Sequence, residues 1–350
     1  MIEMIRKISK KTKIPALFVL TAALAGCGIP KRAEDAQSTE TVYEETRSQG
    51  QKILKLAMTQ NEDSVVAETA AYLRDRVWEE TKGAVLIELY PDSGLGDQMK
   101  FLRGMELGTV ELCIVSMGVL EEVDSRFQVM APMFGISDET GVTAWYESEE
   151  VEDQFNRLEN RTGLIRLAEV YEGYRNIWSK EPIPDLSALR GKRVRVPEAG
   201  TLYRFFEILE TEPVIMAWNE AYSSLQAGGV DAVEIDMESV VDNRIYHGAP
   251  YCLETRHLFS DCTLLVTRTA MDHLTQEEQE ILKTCAGEAE EYAKELYWER
   301  QKEAREFLSG QGVVFTSLTK EDQERLTEIM GQINSGTLKS EEEQDGRKTE

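Results

Sequence analysis

Basic residues are scarce in this chain relative to acidic ones. It carries 39 Lys and Arg against 64 Asp and Glu, which gives a formal net charge of -25 at pH 7. Proteins that bind nucleic acids need a basic surface to displace counterions from phosphates, and this composition offers none. Only nine of the 350 residues are proline and no long tract is of low complexity, which excludes collagen-like and fibrous proteins.

Residue types that bind metals or perform catalysis are also sparse. The three histidines, His247, His257 and His273, lack the spacing of metal ligands and are expected to be surface or loop residues. No CxxC pair indicates a zinc ribbon or a thioredoxin-like site. The G-x-S-x-G, P-loop, H-E-x-x-H and G-x-G-x-x-G motifs are missing as well. Nothing favours an enzyme, and no metal or cofactor is expected.

Five cysteines are present, and four of them lie beyond the N-terminal region. Cys252 and Cys262 are close enough in sequence to close a small disulfide loop, but spacing alone does not decide whether they pair. Cys113 lies in an apolar run, which favours a small core residue.

The first residues have the layout of a secretory signal. Five basic residues and one acidic residue in 1–13 precede a short apolar run over 14–25, which is too short to span a bilayer. The run ends in LAGC (24–27), which resembles the lipobox of bacterial lipoproteins. That resemblance implies cleavage before Cys27, acylation of Cys27 and an extracytoplasmic protein anchored to the membrane by lipid. Polar residues without apolar periodicity then predict a flexible tether over 27–50.

The remaining sequence indicates an α/β protein with two lobes. At 350 residues and 41% hydrophobic content, the chain is too long for one minimal domain and can build sizeable cores. Strand and helix patterns alternate over 53–116 and again over 192–235, which is typical of βαβ units around a parallel sheet. A helical pattern over about 275–308 is long enough to brace both lobes. A cleft between two such lobes suits ligand binding.

Six segments, in chain order, resemble the solute-binding subunits of TRAP transporters, which are tripartite carriers of organic acids. The resemblance spans roughly residues 50–300. The segments are LYPDSGLG (89–96), LGTVEL (107–112), MAPMF (130–134), YRNIWSK (174–180), LRGKRVRVP (189–197) and EAYSSLQ with the following VD (220–231).

The resemblance implies a periplasmic-binding-protein-like fold, with mixed or parallel sheets flanked by helices and a long helix that braces both lobes. The expected segments are a signal peptide (1–26), a tether (27–50), lobe I (51–172 plus about 261–300), lobe II (173–260 plus about 301–334) and a frayed tail (335–350).

The resemblance also implies which residues hold the ligand. The arginine of the RVP element, here Arg195, holds the ligand carboxylate in that family, and a planar guanidinium can donate two parallel hydrogen bonds to a carboxylate. Arg175 matches a second arginine that often reaches the ligand; its alternative role is to bridge the lobes. The family commonly reads VDGxENP where this chain has VDAVEID (230–236). Glu234 is therefore retained, whereas Ile235 replaces a ligand-binding asparagine and cannot donate a hydrogen bond, which puts a standard sugar-acid or dicarboxylate ligand in doubt.

Three further side chains are candidates for the cleft. Asp97 could accept ligand hydroxyls, although capping the following helix is the stronger interpretation. Trp218 and Tyr222 could line the cleft or pack in the core, and Trp178 is expected in the core.

The leading hypothesis is an extracytoplasmic binding protein that captures a small organic acid by hinge closure and delivers it to a TRAP membrane permease. The alternatives are a ligand-sensing lipoprotein receptor that passes a signal to a partner and, with no catalytic constellation to support it, an enzyme acting on acidic carbohydrates.

Overall fold

The structure, a computed structural model, describes residues 50–124, 127, 134–136 and 138–334. The predicted signal peptide, Cys27, nearly all of the tether and the predicted tail lie outside the described residues. Within them, no helix combines the length and the apolar character that crossing a membrane requires.

Nine strands of the described residues form one mixed sheet with helices packed against it. The strands are β1 (Lys52–Ala57), β2 (Val85–Tyr90), β3 (Leu112–Ser116), β4 (Leu164–Ser179), β5 (Arg193–Val196), β6 (Glu212–Ile215), β7 (Ala232–Ile235), β8 (Tyr251–Thr267) and β9 (Val314–Ser317). The helices are α1 (Val65–Glu80), α2 (Gln98–Glu106), α3 (Leu120–Val123), α4 (Glu139–Tyr146), α5 (Glu149–Thr162), α6 (Gly200–Ile208), α7 (Trp218–Ala227), α8 (Met237–Asp242), α9 (Arg268–His273), α10 (Gln276–Gly310) and α11 (Lys320–Asn334).

The strand order is β2-β1-β3-β8-β4-β7-β5-β6, with β9 also paired to β8. The β1–β3 group and the β5–β7 group are each internally parallel, as the alternating strand and helix patterns predict. The two groups are joined by β4 and β8, which pair antiparallel with each other and with their neighbours β7 and β3. The sheet is therefore mixed, with two parallel ends and an antiparallel centre.

Strands β4 and β8 are longer than the sequence patterns predict. The two strands expected over 164–170 and 174–179 are one 16-residue strand, and the strand expected at 263–267 begins at Tyr251. The β4–β8 register shifts between Tyr171 and Gly173 and again after Arg175, so the strand bends without ending. Gly173 permits this bend: its φ is +120°, and a Cβ there would lie 2.7 Å from the ring of Tyr297.

The predicted long helix is confirmed as α10, which has 35 residues. Its N-terminus is closed by a capping box between Thr275 and Glu278. Residues from Leu282 to Ala293 pack in the core beneath β1–β3, whereas Ala304 and Leu308 pack in the core beneath β7. One helix therefore contacts both ends of the sheet.

The described cysteines are all free and buried. Cys252 and Cys262 lie ten residues apart on the single strand β8, which places them about 30 Å apart. A disulfide needs Cα atoms within about 7 Å, so these two residues do not pair. Cys113 and Trp178 are core residues, as expected.

Candidate functional site

The carboxyl ends of both parallel strand groups meet at the middle of β4 and β8. The last residue of β3, Ser116, pairs with Cys262 of β8, and the last residue of β7, Ile235, pairs with Asn176 of β4. The residues between these pairs, 171–175 of β4 and 258–261 of β8, therefore lie between the two groups of strand ends. Ligands of open α/β sheets bind at such carboxyl ends.

Two small cavities occupy this junction, each with room for about one water molecule. The first, here named the arginine cavity, is lined from both strand groups and from the centre, by residues that include Ser116, Met117, Pro197, Ala199, Arg175 and Asp261. The second, here named the acidic cavity, is lined by the segments after β1 and β7 and by the centre of β4, with residues that include Gln60, Asn61, Glu172, Asp236, Glu238 and Asp242.

A buried hydrogen-bond chain separates the two cavities. The Arg175 guanidinium donates two bonds to the Glu234 carboxylate, at 2.5 and 2.7 Å, and a third to Ser260 Oγ at 3.0 Å. The Ser260 hydroxyl donates to Glu172 Oε2 at 3.0 Å, and Gln60 Nε2 donates to Glu172 Oε1 at 2.6 Å. Arg175 therefore lies at the centre of the site, and its charge is balanced within the protein.

Arg195 is also buried, with 2% of its surface exposed, but it has no acidic partner within 4 Å among the described residues. Its Nε and Nη2 donate to the carbonyl of Met216 at 3.0 and 2.7 Å, and its guanidinium lies 5.4 Å from the ring centre of Trp218. Burial lowers the pKa of Arg195 to about 10, because the charged form loses its hydration. The Met216 carbonyl occupies one edge of the guanidinium and leaves its Nη1–Nη2 edge unbonded by the described residues.

The local sequence explains why the two arginines differ. Arg195 lies on β5 opposite Val233 of β7, so the side chain of the next residue along β7, Glu234, points to the other face of the sheet, where it pairs with Arg175. Arg193, two residues before Arg195, pairs with Asp231 and is partly exposed. Strand alternation therefore leaves one arginine of the RVRV run without a carboxylate.

One residue close to Glu234 shows that a prediction from the sequence is wrong. His257, expected at the surface, is fully buried and stacks on Phe205 with ring centres 4.9 Å apart. Its Nε2 lies 3.6 Å from Glu234 Oε2, and burial lowers its pKa. His257 lies within the first half of β8, a strand that local sequence patterns do not predict, so the direction of its side chain is not predictable from the sequence. Ile235 is buried, and its carbonyl accepts a hydrogen bond from Trp178 Nε1 at 3.0 Å.

The structure places the remaining candidates at or beyond the margin of the site. Asp97 caps α2 by accepting a hydrogen bond from Lys100 N and also pairs with Lys100 Nζ, which confirms the capping interpretation. Trp218 is half-buried beneath Arg195, and the hydroxyl of Tyr222 accepts a hydrogen bond from Gln226. Of the predicted ligand residues, only Arg175 lines one of the two cavities. The others line neither of them, namely Arg195, Glu234, Ile235, Asp97, Trp218 and Tyr222.

Sequence reasoning missed the buried acids of the site. Burial, reinforced by the charge of Glu172, raises the pKa of Asp236 to about 7, and burial raises that of Asp261 to about 7. One signal was available for Asp236, since this position departs from the proline of the family pattern. Glu172 and Asp261 gave no local signal, because only the pairing of β4 with β8 places them together.

Comparison with known proteins agrees with this architecture. Residues 56–339 match the DctP family, described as bacterial extracellular solute-binding protein, family 7. The chain belongs to this family. One relative of this DctP-family chain is the 2,3-diketo-L-gulonate-binding periplasmic protein of Escherichia coli, which is 24% identical over 87% of this chain and 88% of the relative.

Solved structures confirm the predicted fold class. A TRAP periplasmic solute-binding protein from Roseobacter denitrificans with bound L-galactonate superposes with a TM-score of 0.75, at 23% identity over 84% of this chain and 97% of that one. One from Pseudomonas putida with bound D-glucuronate gives a TM-score of 0.76, at 20% identity over 85% and 98%. The DctP-family chain thus has the TRAP periplasmic-binding-protein fold, and the family and these neighbours are binding proteins rather than enzymes.

Proposed function

We propose that this protein is the lipid-anchored binding component of a TRAP-type transporter. It captures a small organic acid outside the cytoplasm, closes around it and delivers it to the membrane permease. Arg195 is the carboxylate anchor. Arg175, held by Glu234, shapes the site next to it and is a second ligand contact through the arginine cavity.

The observation that carries this proposal is the buried guanidinium of Arg195, which has no acidic partner within 4 Å in the part of the chain that the structure describes. A buried charge is costly unless it is paired, and a ligand carboxylate on its Nη1–Nη2 edge supplies the missing pair. At a separation of 4 Å and an effective dielectric constant of 20, the attraction is about 4 kcal/mol before desolvation. The acidic surface does not oppose this contact strongly, because charges more than about 8 Å away are screened at physiological salt.

The proposed closure has a structural basis in β4 and β8. The boundaries expected between lobe I (51–172 plus about 261–300) and lobe II (173–260 plus about 301–334) coincide with the register shift between Tyr171 and Gly173. On one face of the sheet, separate cores beneath β1–β3 and beneath β7 favour the same division, whereas the core on the other face includes residues of both expected lobes. Hinges in binding proteins are a few residues at which paired segments change direction.

Localisation at the outer face of the membrane rests on the sequence of the N-terminus. The charged and apolar segments of 1–25, followed by LAGC, favour cleavage before Cys27 and acylation of its thiol and amine. The polar tether then gives the binding domain freedom to meet the permease.

The experiment is calorimetric binding of a panel of organic acids to the protein and two matched variants. Arg195→Lys keeps the charge but loses the two-pronged geometry, so it should weaken binding about 30-fold or more, which corresponds to about 2 kcal/mol. Arg193→Lys, on the same strand, should change affinity less than about 3-fold, since Arg193 pairs with Asp231. Equal affinities for the protein and Arg195→Lys would refute the proposed anchor.

A further inference from the structure

The acidic cavity has a charge that a simple organic acid does not explain. Four of its lining residues are carboxylic acids, namely Glu172, Asp236, Glu238 and Asp242, and no Lys, Arg or His lines it. It lies at the same strand ends as the arginine cavity, on the other side of the Arg175–Ser260–Glu172 chain. A ligand carboxylate here would place more negative charge against these groups, and a neutral hydroxyl would donate a hydrogen bond without compensating the charge.

One carboxylate oxygen in the cavity has no hydrogen-bond donor. Asp236 is 1% exposed; its Oδ1 accepts a bond from Ser239 N at 2.8 Å, whereas its Oδ2 is buried and unpartnered. The two other buried acids that line this cavity are better satisfied: Glu172 accepts two side-chain bonds, and Glu238 Oε1 accepts one from Val65 N at 3.0 Å. An unpaired buried acceptor is costly, and a ligand that donates a hydrogen bond to Asp236 Oδ2 removes this cost.

The cations nearest to this cavity are engaged elsewhere. Arg175 makes its two-pronged contact with Glu234. Arg300 donates to Glu68 and to the carbonyl of Asp63, and its Nη1 lies 4.0 Å from Glu238 Oε1. When Asp236 is ionised, no Lys, Arg or His side chain of the described residues lies within 4 Å to neutralise its charge.

The size of the cavity restricts which cation fits. It has room for about one water molecule, which is about the size of a primary ammonium group. No group of three or more His, Cys, Asp or Glu in the described part of the chain is arranged to hold a metal ion. An ammonium needs only hydrogen-bond acceptors, and it carries three donors for them.

We propose that the physiological ligand carries a primary ammonium group as well as a carboxylate, with the ammonium on Asp236 in the acidic cavity. This inference rests on the proposed function, because Arg195 supplies the other end. Asp236 lies three residues beyond Val233, the β7 neighbour of Arg195, so the two Cα atoms are about 11 Å apart. A ligand that contacts both side chains therefore needs several carbons between its carboxylate and its ammonium group. The apolar side chain of Ile235, at the position where the family has asparagine, agrees with a ligand that lacks a hydroxyl there.

The test compares ligands of equal length by calorimetry on the full chain. The probes are 4-aminobutanoate, 5-aminopentanoate and 6-aminohexanoate, each against the unsubstituted monocarboxylate and the dicarboxylate of the same carbon count. The inference predicts that at least one amino acid binds ten times or more tighter than both of its partners. An amino-acid advantage below about tenfold at every length would overturn the inference and leave the proposed function intact. The weakening of binding in Arg195→Lys, by about 30-fold or more, is the separate test of that function.

Asp236→Asn is the decisive variant, because asparagine still caps α8 but places an amide in the cavity. It should remove the advantage of the amino acid, to within about 2-fold of the monocarboxylate. Asp97→Asn is the matched control: it is the same substitution at the cap of α2, outside the cavity, and should keep the advantage. An advantage that survives Asp236→Asn would refute the assignment of Asp236. If Asp236→Asn does not fold, as judged by circular dichroism, the ligand comparison on the unmodified chain still decides the ammonium preference.

Discussion

Replacing each buried arginine by methionine should separate the contribution of Arg175 to stability from the contribution of Arg195 to ligand binding. Arg175→Met leaves the Glu234 carboxylate buried without its partner. Removing one member of a buried ion pair costs about 3–5 kcal/mol of folding free energy, since the other charge stays desolvated.

Arg195→Met should behave in the opposite way. The substitution removes two hydrogen bonds to the Met216 carbonyl, but it also removes a buried charge that has no acidic partner within 4 Å in the described residues. These effects oppose each other, so the free energy of unfolding should change by about 1 kcal/mol or less. Organic-acid binding should be weakened more than about 100-fold, because the anchor is gone.

Urea unfolding of the ligand-free protein and both variants at pH 7.5, followed by calorimetric titration, measures the two effects. Arg175→Met is expected to be much the less stable variant. A loss of stability in Arg195→Met as large as in Arg175→Met would refute the reasoning, since Arg195 would then be a structural residue satisfied within the fold.

Three further predictions concern the pH dependence of stability, the lipid anchor and the cap of α2. Because burial raises the pKa of Asp236 and Asp261 from 3.8 to about 7, the folded state keeps protons that the unfolded state has lost, and the free energy of unfolding should fall as pH rises from 6 to 8; urea midpoints that rise over this range would contradict it. Cys27→Ser should release the protein from the membrane fraction of cells that export it, whereas unchanged fractionation would exclude the lipid anchor. Asp97→Ala should lower stability by about 1 kcal/mol through loss of the helix cap but change ligand affinity less than about 2-fold, as measured by urea unfolding and calorimetry; a large loss of affinity would place Asp97 in the ligand site.

Local patterns sufficed for elements with a clear period or boundary. Helix α10 follows from more than thirty residues without proline and from the capping signal at Thr275, and β2 follows from a run of apolar residues that ends at Pro91. The short parallel strands β5 and β7 follow from their position between helices. These features depend on neighbours in sequence, which is why the sequence predicts them.

Features that depend on pairing between segments far apart in the chain are not predictable from local sequence patterns. The first half of β8 contains Glu254, Arg256 and His257, which interrupt any simple apolar alternation. It forms a strand because β4 and β9 flank it on both sides. In the sequence, the bend at Gly173 resembles the end of a strand, because the pairing that continues β4 beyond it is with the distant strand β8. The contact between Glu172 and Ser260 likewise exists only through this pairing. The resemblance to the family identifies Arg195 in the sequence. Only the structure shows that no acidic side chain of the described residues pairs with it.

The central claim is most directly tested by a crystal structure of the protein with a bound acid from the binding panel. The account predicts both oxygens of one ligand carboxylate within about 3.2 Å of Nη1 and Nη2 of Arg195, with Met216 still bonded to the other edge. A well-ordered ligand whose carboxylate lies elsewhere, with Arg195 bonded only to the Met216 carbonyl, would contradict it.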